Sequence, residues 1–378
     1  MLGLDNAATP FGLKAMESLQ SINPDKEFTQ INKAETAAAS SLLSKLFNDS
    51  PVLLTPSCTH ALELAIRLIG AGPGDEVIVP SYTFTSTANA VVLAGATPVF
   101  VDIEPETLNI DVDEIRTAIT SKTKAVFCIN YAGVSPQLAE IKALCEEFGL
   151  VLLEDNAHGL GAKSQGQPLG TFAALATQSF HETKNIQCGE GGCLVVNDLK
   201  YWEMAEVWRE KGTNRSQFFR GQVAKYTWVS EGSSLLLADP LAALLKIQLQ
   251  NFDLIQKLRK NVWQRYDTEL SDHAASIGAT QMNIPSQCDQ PFHMYYLMMK
   301  SLESRTNFIS HLKEMGVNAT FHYQPLHSSE AGRKYGRSQG DLPNTQRAAD
   351  CLVRLPLWAG MSELQVDRVI DAVRGFSY

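Results

Sequence analysis

Lys184 closes the segment Ser179-Phe180-His181-Glu182-Thr183-Lys184-Asn185, and the glycine cluster Gly189-Glu190-Gly191-Gly192 follows it. A lysine that ends a buried strand and meets a glycine-rich loop is placed for use as a reactive amine. Burial lowers its pKa and leaves the neutral, nucleophilic form available. A second segment, Leu150-Val151-Leu152-Leu153-Glu154-Asp155-Asn156-Ala157-His158, is an apolar run that ends in carboxylates. Asp155 then falls at the C-terminal edge of a sheet, where α/β proteins bind ligands. A third, Thr55-Pro56-Ser57-Cys58-Thr59-His60, sets small hydroxyl residues ahead of a helix from Ala61. Free N–H groups and the helix dipole make such a start an anion site. The fourth, Pro80-Ser81-Tyr82-Thr83-Phe84, ends another run with aromatics able to stack on a flat ring.

None of these segments decides alone. An arbitrary lysine is a solvated surface group, and Gly-Glu-Gly-Gly lacks the spacing of a dinucleotide fingerprint. Asp155 could cap a loop, His158 could be a satisfied structural histidine, and Phe84 could pack in the core. An ordinary N-cap accounts for one hydroxyl of the third segment and does not need three. The order of the four carries the reading: phosphate cup, stacking aromatic, carboxylate, amine, each at a strand's C-terminal end. That order predicts pyridoxal 5′-phosphate as cofactor. Lys184 is then the Schiff-base lysine, and Asp155 keeps the pyridine nitrogen protonated so that the ring stays an electron sink.

Positioning these groups requires a sheet. From residue 51 short apolar runs alternate with amphipathic stretches, which predicts strands over 52–54, 76–80, 97–102, 125–130, 150–155, 174–180 and 193–197. Helices are expected between them, over 59–69, 85–94, 112–119 and 136–148. Near-continuous apolar strands are buried on both faces, so the sheet is mainly parallel. The stretch 235–270 reads as one long helix. Beyond it, 290–300 and 317–323 read as strands, and 303–315 and 362–373 as helices. The expected organisation is a large α/β domain over 1–245 and a smaller α+β domain over 246–378.

The chain has 378 residues, more than one hydrophobic core usually serves. Its net charge of −9 argues against general nucleic-acid binding, although a local cluster of cations suffices for an anionic small ligand. Seven dispersed cysteines without a C-x-x-C pair read as reduced thiols, and no second pair stands at zinc spacing, so no metal site is expected. MLGLDNAATP lacks the basic and long apolar regions of a signal peptide, and no run is apolar enough to span a bilayer. The expected location is the cytoplasm, with no membrane partner.

From about residue 50 onward the chain resembles the DegT/DnrJ/StrS sugar aminotransferases. The resemblance runs through Gly74-Asp75-Glu76-Val77-Ile78-Val79-Pro80, Glu154-Asp155-Asn156-Ala157-His158, the Ser179–Lys184 segment and Arg354-Leu355-Pro356-Leu357. Within the family it looks most like the dTDP-4-amino-4,6-dideoxygalactose transaminase branch. That branch is marked by residues 209–222, Arg-Glu-Lys-Gly-Thr-Asn-Arg-Ser-Gln-Phe-Phe-Arg-Gly-Gln, ending in Lys225-Tyr226-Thr227-Trp228. Phe321-His322-Tyr323 and Pro325-Leu326-His327 also match it.

The resemblance implies fold type I of the pyridoxal-phosphate enzymes, the aspartate-aminotransferase fold. Residue by residue, it implies Lys184 as the lysine joined to the cofactor, Asp155 on the ring nitrogen and His158 near the phenolic oxygen. Ser57, Cys58 and Ser179 would hold the phosphate, and Phe84 would stack on the ring. It also implies a homodimer with shared sites, with Ser234 of a second copy completing the phosphate cup. His322 and His327 fall on the substrate side. Two departures stand out: Asp25-Lys26-Glu27-Phe28 replaces the family's glycine-rich entry segment, and Asn130 stands where a histidine is usual.

The expected reaction moves the amino group of L-glutamate to the C4 ketone of a nucleotide-linked keto-sugar, with dTDP as the nucleotide. Arg215, Arg220 and Lys225, cations in an acidic protein, are expected on its diphosphate, or else form a solvated charged loop. The alternatives are a 3-amino sugar transferase, a sugar dehydratase and a non-catalytic regulatory protein that binds the cofactor. Dehydratases of the family carry histidine in place of the lysine, and Lys184 stands against that. A desulfurase-like Leu4-Asp5-Asn6-Ala7-Ala8-Thr9-Pro10 has no matching lysine context.

Overall fold

Side-chain alternation builds the sheet. Val77 and Val79 enter one apolar layer while Ile78 enters the opposite one, and Phe100 is likewise separated from Val99 and Val101. A period of two with both sets apolar is what a sheet covered on both faces demands. The computed structural model describes residues 34–377. The expected stretches Asp25–Phe28 and Leu4–Pro10 therefore lie outside the described residues.

The strands of the large sheet are β1 (Val52–Thr55), β2 (Glu76–Pro80), β3 (Thr97–Val101), β4 (Thr123–Ile129), β5 (Val151–Asp155), β8 (Leu175–Ser179), β9 (Gly192–Val196) and β13 (Arg337–Ser338). Their order is β1-β9-β8-β5-β4-β2-β3-β13. Only β9 runs against the rest, pairing antiparallel with both β1 and β8. After α1 (Ala34–Leu46), helices α2 (Cys58–Leu68), α3 (Thr85–Leu93), α4 (Val112–Ala118) and α5 (Leu138–Phe148) connect the early strands. The expected strands and helices of this part appear with bounds shifted by a residue or two. A short hairpin, β6 (Lys163–Ser164) and β7 (Gln167–Pro168), lies between β5 and β8.

The rest of the chain begins with α6 (Trp202–Arg209), α7 (Arg215–Phe219), α8 (Asp239–Gln250) and α9 (Phe252–Ser276). The long helix expected over 235–270 is thus two, broken at Asn251, whose side chain turns back to the Ile247 carbonyl. The expected division at 245/246 falls inside α8. Strands β10 (Thr280–Gln281), β12 (Tyr295–Met298) and β14 (Leu352–Leu355) form a small sheet, and β11 (Cys288–Asp289) pairs with β6. Around the small sheet lie α10 (Leu302–Glu314), α11 (Glu330–Tyr335), α12 (Pro343–Cys351) and α13 (Glu363–Arg374).

Two sequence expectations are corrected here. The strand expected over 290–300 shrinks to β12, because Phe292 takes a left-handed conformation (φ 54°) that a strand cannot continue. The strand expected over 317–323 is absent. Thr320 alone makes a bridge, to Arg354, and the chain then leaves along the mouth of a cavity. The C-terminal part also reaches back: Leu326 and Leu342 sit in the layer under the large sheet.

Candidate active site

Because β1, β2, β4, β5 and β8 point the same way, residues far apart in the chain meet at one edge of the sheet. A cavity of about 630 Å³ opens there, between that edge and the segments around Thr320 and β14. Of the expected residues, Ser57, Cys58, Phe84, Asp155, His158, Ser179, Lys184 and His322 all line it.

The Lys184 turn is built by backbone pairing, with Phe180 N–H donating to Gly191 O (2.8 Å) and Glu182 N–H to Gly189 O (2.9 Å). Next to it, Asn185 donates to Pro291 O (2.7 Å) and lies 2.9 Å from His293 Nδ1, which locks the turn to the C-terminal part. Burial pushes the Lys184 amine down to about 8, against the attraction of Cys58 and Asp155. Asp155 is buried and its two oxygens are separately held, Oδ2 by the Thr87 hydroxyl (2.8 Å) and Oδ1 by Ala157 N–H (3.1 Å). Burial raises its pKa, while these donors and Lys184 favour the carboxylate.

Ser57 caps α2, accepting from His60 N–H (3.3 Å). Gly192 on β9 lies directly against this cap, since a Cβ there would sit 2.3 Å from Cys58 N and 2.4 Å from the Ser57 carbonyl carbon. Burial beside Asp155 holds the Cys58 thiol far above its ordinary range, so it is a neutral group 3.6 Å from the Thr177 hydroxyl.

His158 stacks on His293 with centroids 4.4 Å apart. Its Nδ1 accepts from Ala132 N–H (3.3 Å), which the left-handed backbone at Ala132 (φ 56°) aims at the ring. Burial, aided by Lys184, pushes its pKa well below the usual range. The ring is therefore neutral with its proton on Nε2, which donates to the Tyr323 hydroxyl at 3.3 Å. His322 Nδ1 lies 2.7 Å from the Tyr131 hydroxyl. Phe84 is 56 % exposed at the mouth, its ring 6.2 Å from that of Tyr323.

Five expected residues are not at this cavity. His327 Nδ1 lies 2.7 Å from Ser81 Oγ, fastening the turn after residue 325 to the end of β2. Arg220 forms a two-pronged pair with Glu206 (2.7 and 2.8 Å), and Arg215 reaches Glu210 (3.5 Å). Lys225 and Ser234 are exposed, and Ser234 bridges Glu210. Sequence reasoning in turn assigned nothing to Thr87, His293, Tyr323 or Arg354. Tyr323 and Arg354 stood inside quoted motifs, but only the fold brings them to the site.

The donor set suits one cofactor: a poised amine, a clamped carboxylate in the same cavity, and a glycine-lined helix start for a phosphate. A profile of the DegT/DnrJ/EryC1/StrS aminotransferase family matches residues 16–374. The chain belongs to that family. It is a pyridoxal-phosphate-dependent aminotransferase. The spore coat polysaccharide biosynthesis protein SpsC of Bacillus subtilis is 34% identical over 327 residues, 84% of this chain and 83% of that one. The aminotransferase TlmJ from Streptoalloteichus hindustanus superposes with a TM-score of 0.85 at 29% identity, covering 99% of this chain and 96% of its own. Spr1654 from Streptococcus pneumoniae in its PMP form gives 0.85 at 26%, covering 97% of this aminotransferase and 96% of its own chain.

Proposed function

We propose that this aminotransferase moves the amino group of L-glutamate to the C4 ketone of a dTDP-linked 4-keto-6-deoxyhexose, giving a 4-amino-4,6-dideoxy sugar. The observation that carries the chemistry is the Lys184 amine, held near neutrality inside the cavity beside the clamped Asp155. The choice of sugar rests on the likeness of residues 209–228 to one branch of the family.

Each residue then has a task. Ser57, Cys58 and Ser179, with the start of α2, hold the cofactor phosphate. Asp155 pairs with the ring nitrogen, neutral His158 meets the phenolic oxygen and Phe84 covers the ring. The bound cofactor supplies an electron sink for the carbon that loses its proton. Lys184 would accept and return that proton, which a neutral amine in an enclosed site can do at ordinary pH.

Two copies are proposed to share their sites. The segment after α7 carries Tyr226, Trp228 and Val229 with 52%, 80% and 53% exposure, an apolar surface that a second copy would cover. Ser234 would then complete the partner's phosphate cup, and Lys225, exposed and without an ion pair among the described residues, would meet the sugar diphosphate. Glu206 and Glu210 already neutralise Arg220 and Arg215, so of the three cations Lys225 is the best supported. Free cysteines throughout the described residues agree with a cytoplasmic site of action.

The test is spectroscopic. Protein loaded with pyridoxal phosphate should lose its yellow band on addition of L-glutamate. The resulting pyridoxamine form should then aminate a dTDP-linked 4-keto sugar, with the nitrogen at C4 by NMR. A yellow band indifferent to glutamate, or nitrogen at C3, would sink the reading.

A further inference from the structure

The residue after Lys184 decides which face of its chemistry His293 shows to the cavity. Asn185 is buried, and its amide nitrogen lies 2.7 Å from Pro291 O and 3.1 Å from Gln256 Oε1. A backbone carbonyl only accepts, so the atom facing Pro291 O is the donating nitrogen and the amide cannot be turned round. Its oxygen is then the atom 2.9 Å from His293 Nδ1, which carries the proton and donates. Burial, with Lys184 and Arg259 nearby, pushes the His293 pKa well below its usual range, so the ring is neutral. A neutral imidazole has one such proton, which leaves Nε2 a bare hydrogen-bond acceptor. The ring is held firmly in this state. It stacks on His158, and the Arg259 guanidinium donates to the Phe292 and His293 carbonyls. His293 is 8% exposed and lines the cavity with Lys184, yet among the described residues no hydrogen bond reaches its Nε2. A buried acceptor fixed without a donor is costly, and in a cleft its donor is expected on the ligand.

We infer that Asn185 sets His293 to accept a hydrogen bond from the C3 hydroxyl of the keto-sugar, beside the C4 ketone that reacts. This rests on the reading that a nucleotide-linked 4-keto-6-deoxyhexose is the sugar substrate. L-Glutamate offers His293 little, since its carboxylates only accept and its one amino group is consumed in the reaction. The sugar brings hydroxyls. Its C4 must come to Lys184, and of the two carbons flanking C4 only C3 carries a hydroxyl, because C5 bears the ring oxygen and the methyl group. An acceptor fastened to the residue beside Lys184 suits that hydroxyl. His293 then touches the substrate, and Asn185 acts through it as a positioning residue.

The experiment crosses a dTDP-linked 4-keto-6-deoxyhexose and its 3-deoxy analogue with wild type, His293→Phe and His293→Gln. The first variant keeps the stack on His158, and the second returns an amide oxygen as acceptor. Each protein is loaded in the pyridoxamine form, and return of the yellow band reads the sugar half-reaction. In wild type the 3-deoxy sugar should lose about 30-fold in kcat/KM. His293→Phe should lose as much with the complete sugar and no longer distinguish the two, while His293→Gln should recover part of the preference. Bleaching by L-glutamate should suffer far less than the sugar half-reaction. Nitrogen NMR of histidine-labelled protein should place the His293 proton on Nδ1. In Asn185→Leu that proton should be shared between the ring nitrogens, and the preference for the 3-hydroxyl should shrink. Equal preference in wild type and His293→Phe, or a wild-type proton on Nε2, overturns the inference. If His293→Phe does not hold the cofactor, a wild type indifferent to the 3-hydroxyl is the overturning result. A wild type that glutamate bleaches but that aminates neither sugar overturns the substrate reading, and the inference with it.

Discussion

The Thr87 hydroxyl donates to Asp155 Oδ2 at 2.8 Å, tying the first turn of α3 to the end of a strand two places away in the sheet. With Ala157 N–H on the other oxygen, this bond fixes the plane of a carboxylate that burial drives toward its neutral form. Thr87→Val keeps the shape and removes the donor. Cofactor affinity should fall about 10-fold, the low end for a hydrogen bond to a charged group. Thr87→Ser should restore it, and titration of the apo-protein with pyridoxal phosphate measures both.

The pH dependence of cofactor attachment should follow Lys184. Burial lowers its amine from the ordinary 10.5 to about 8, so the nucleophilic fraction grows as pH rises toward 8 and levels off above it. Roughly a tenth of the amines are neutral at pH 7, against a negligible fraction for an unshifted lysine. Borohydride trapping followed by mass spectrometry should show the rate of labelling rise through that range. Labelling should be absent in Lys184→Ala. A rate still climbing steeply at pH 10 would refute the assignment.

Gly192 leaves no room for a methyl group, since its Cβ would lie 2.3 Å from the Cys58 backbone nitrogen, in the proposed phosphate cup. Gly192→Ala should push α2 away from β9. The expected results are loss of cofactor binding and a destabilisation of about 1–3 kcal/mol, read from denaturant melts.

The exposed ring of Trp228 tests the paired assembly. Trp228→Glu should convert a dimer to a monomer in sedimentation at micromolar concentration. It should also lower cofactor retention if, as proposed, a partner's Ser234 completes the cup.

Glu76 and Arg337 join β2 to the C-terminal part through two contacts of 2.9 and 2.8 Å. The hydrogen bonds from Arg337 lower the Glu76 pKa below its ordinary 4.5. A depressed carboxyl contributes stability that is complete above the unfolded value and is lost as pH falls through the folded one. Glu76→Gln should therefore cost about 1 kcal/mol at pH 7 and progressively less below pH 4.5. Equal deficits at both pH values would disprove the link.

The large sheet was legible because its strands are apolar on both faces, so each stands out as an unbroken run between turns. Lys184, Asp155, Ser57 and Cys58 were legible because each ends or follows such a run. The segment around 317–323 looked the same, yet Val317 and Ala319 pack in the C-terminal core while Asn318 and residues 320–323 serve the cavity wall, with a single bridge from Thr320 to Arg354. Thr87, His293 and Arg354 carried no local signal, since what makes them part of the site is a neighbour brought up from another region of the chain. Arg215 and Arg220 misled in the other direction. Charge in the sequence marks a cation but does not reveal that Glu206, 14 residues before Arg220, and Glu210, 5 before Arg215, already pair with them.

Strand β13 is only two residues long, yet it covers the outer edge of β3, with Arg337 opposite Val99 and Ser338 opposite Phe100. A chain still emerging from the ribosome lacks this cover until Arg337 and Ser338 have left the exit tunnel. Until then the edge carrying Pro98, Val99 and Phe100 offers open backbone groups on an apolar strand, the kind of surface on which nascent chains stick to one another. The first two thirds of this protein should therefore be a poor independent fragment. Chaperone demand during synthesis should end abruptly when residue 338 clears the exit tunnel.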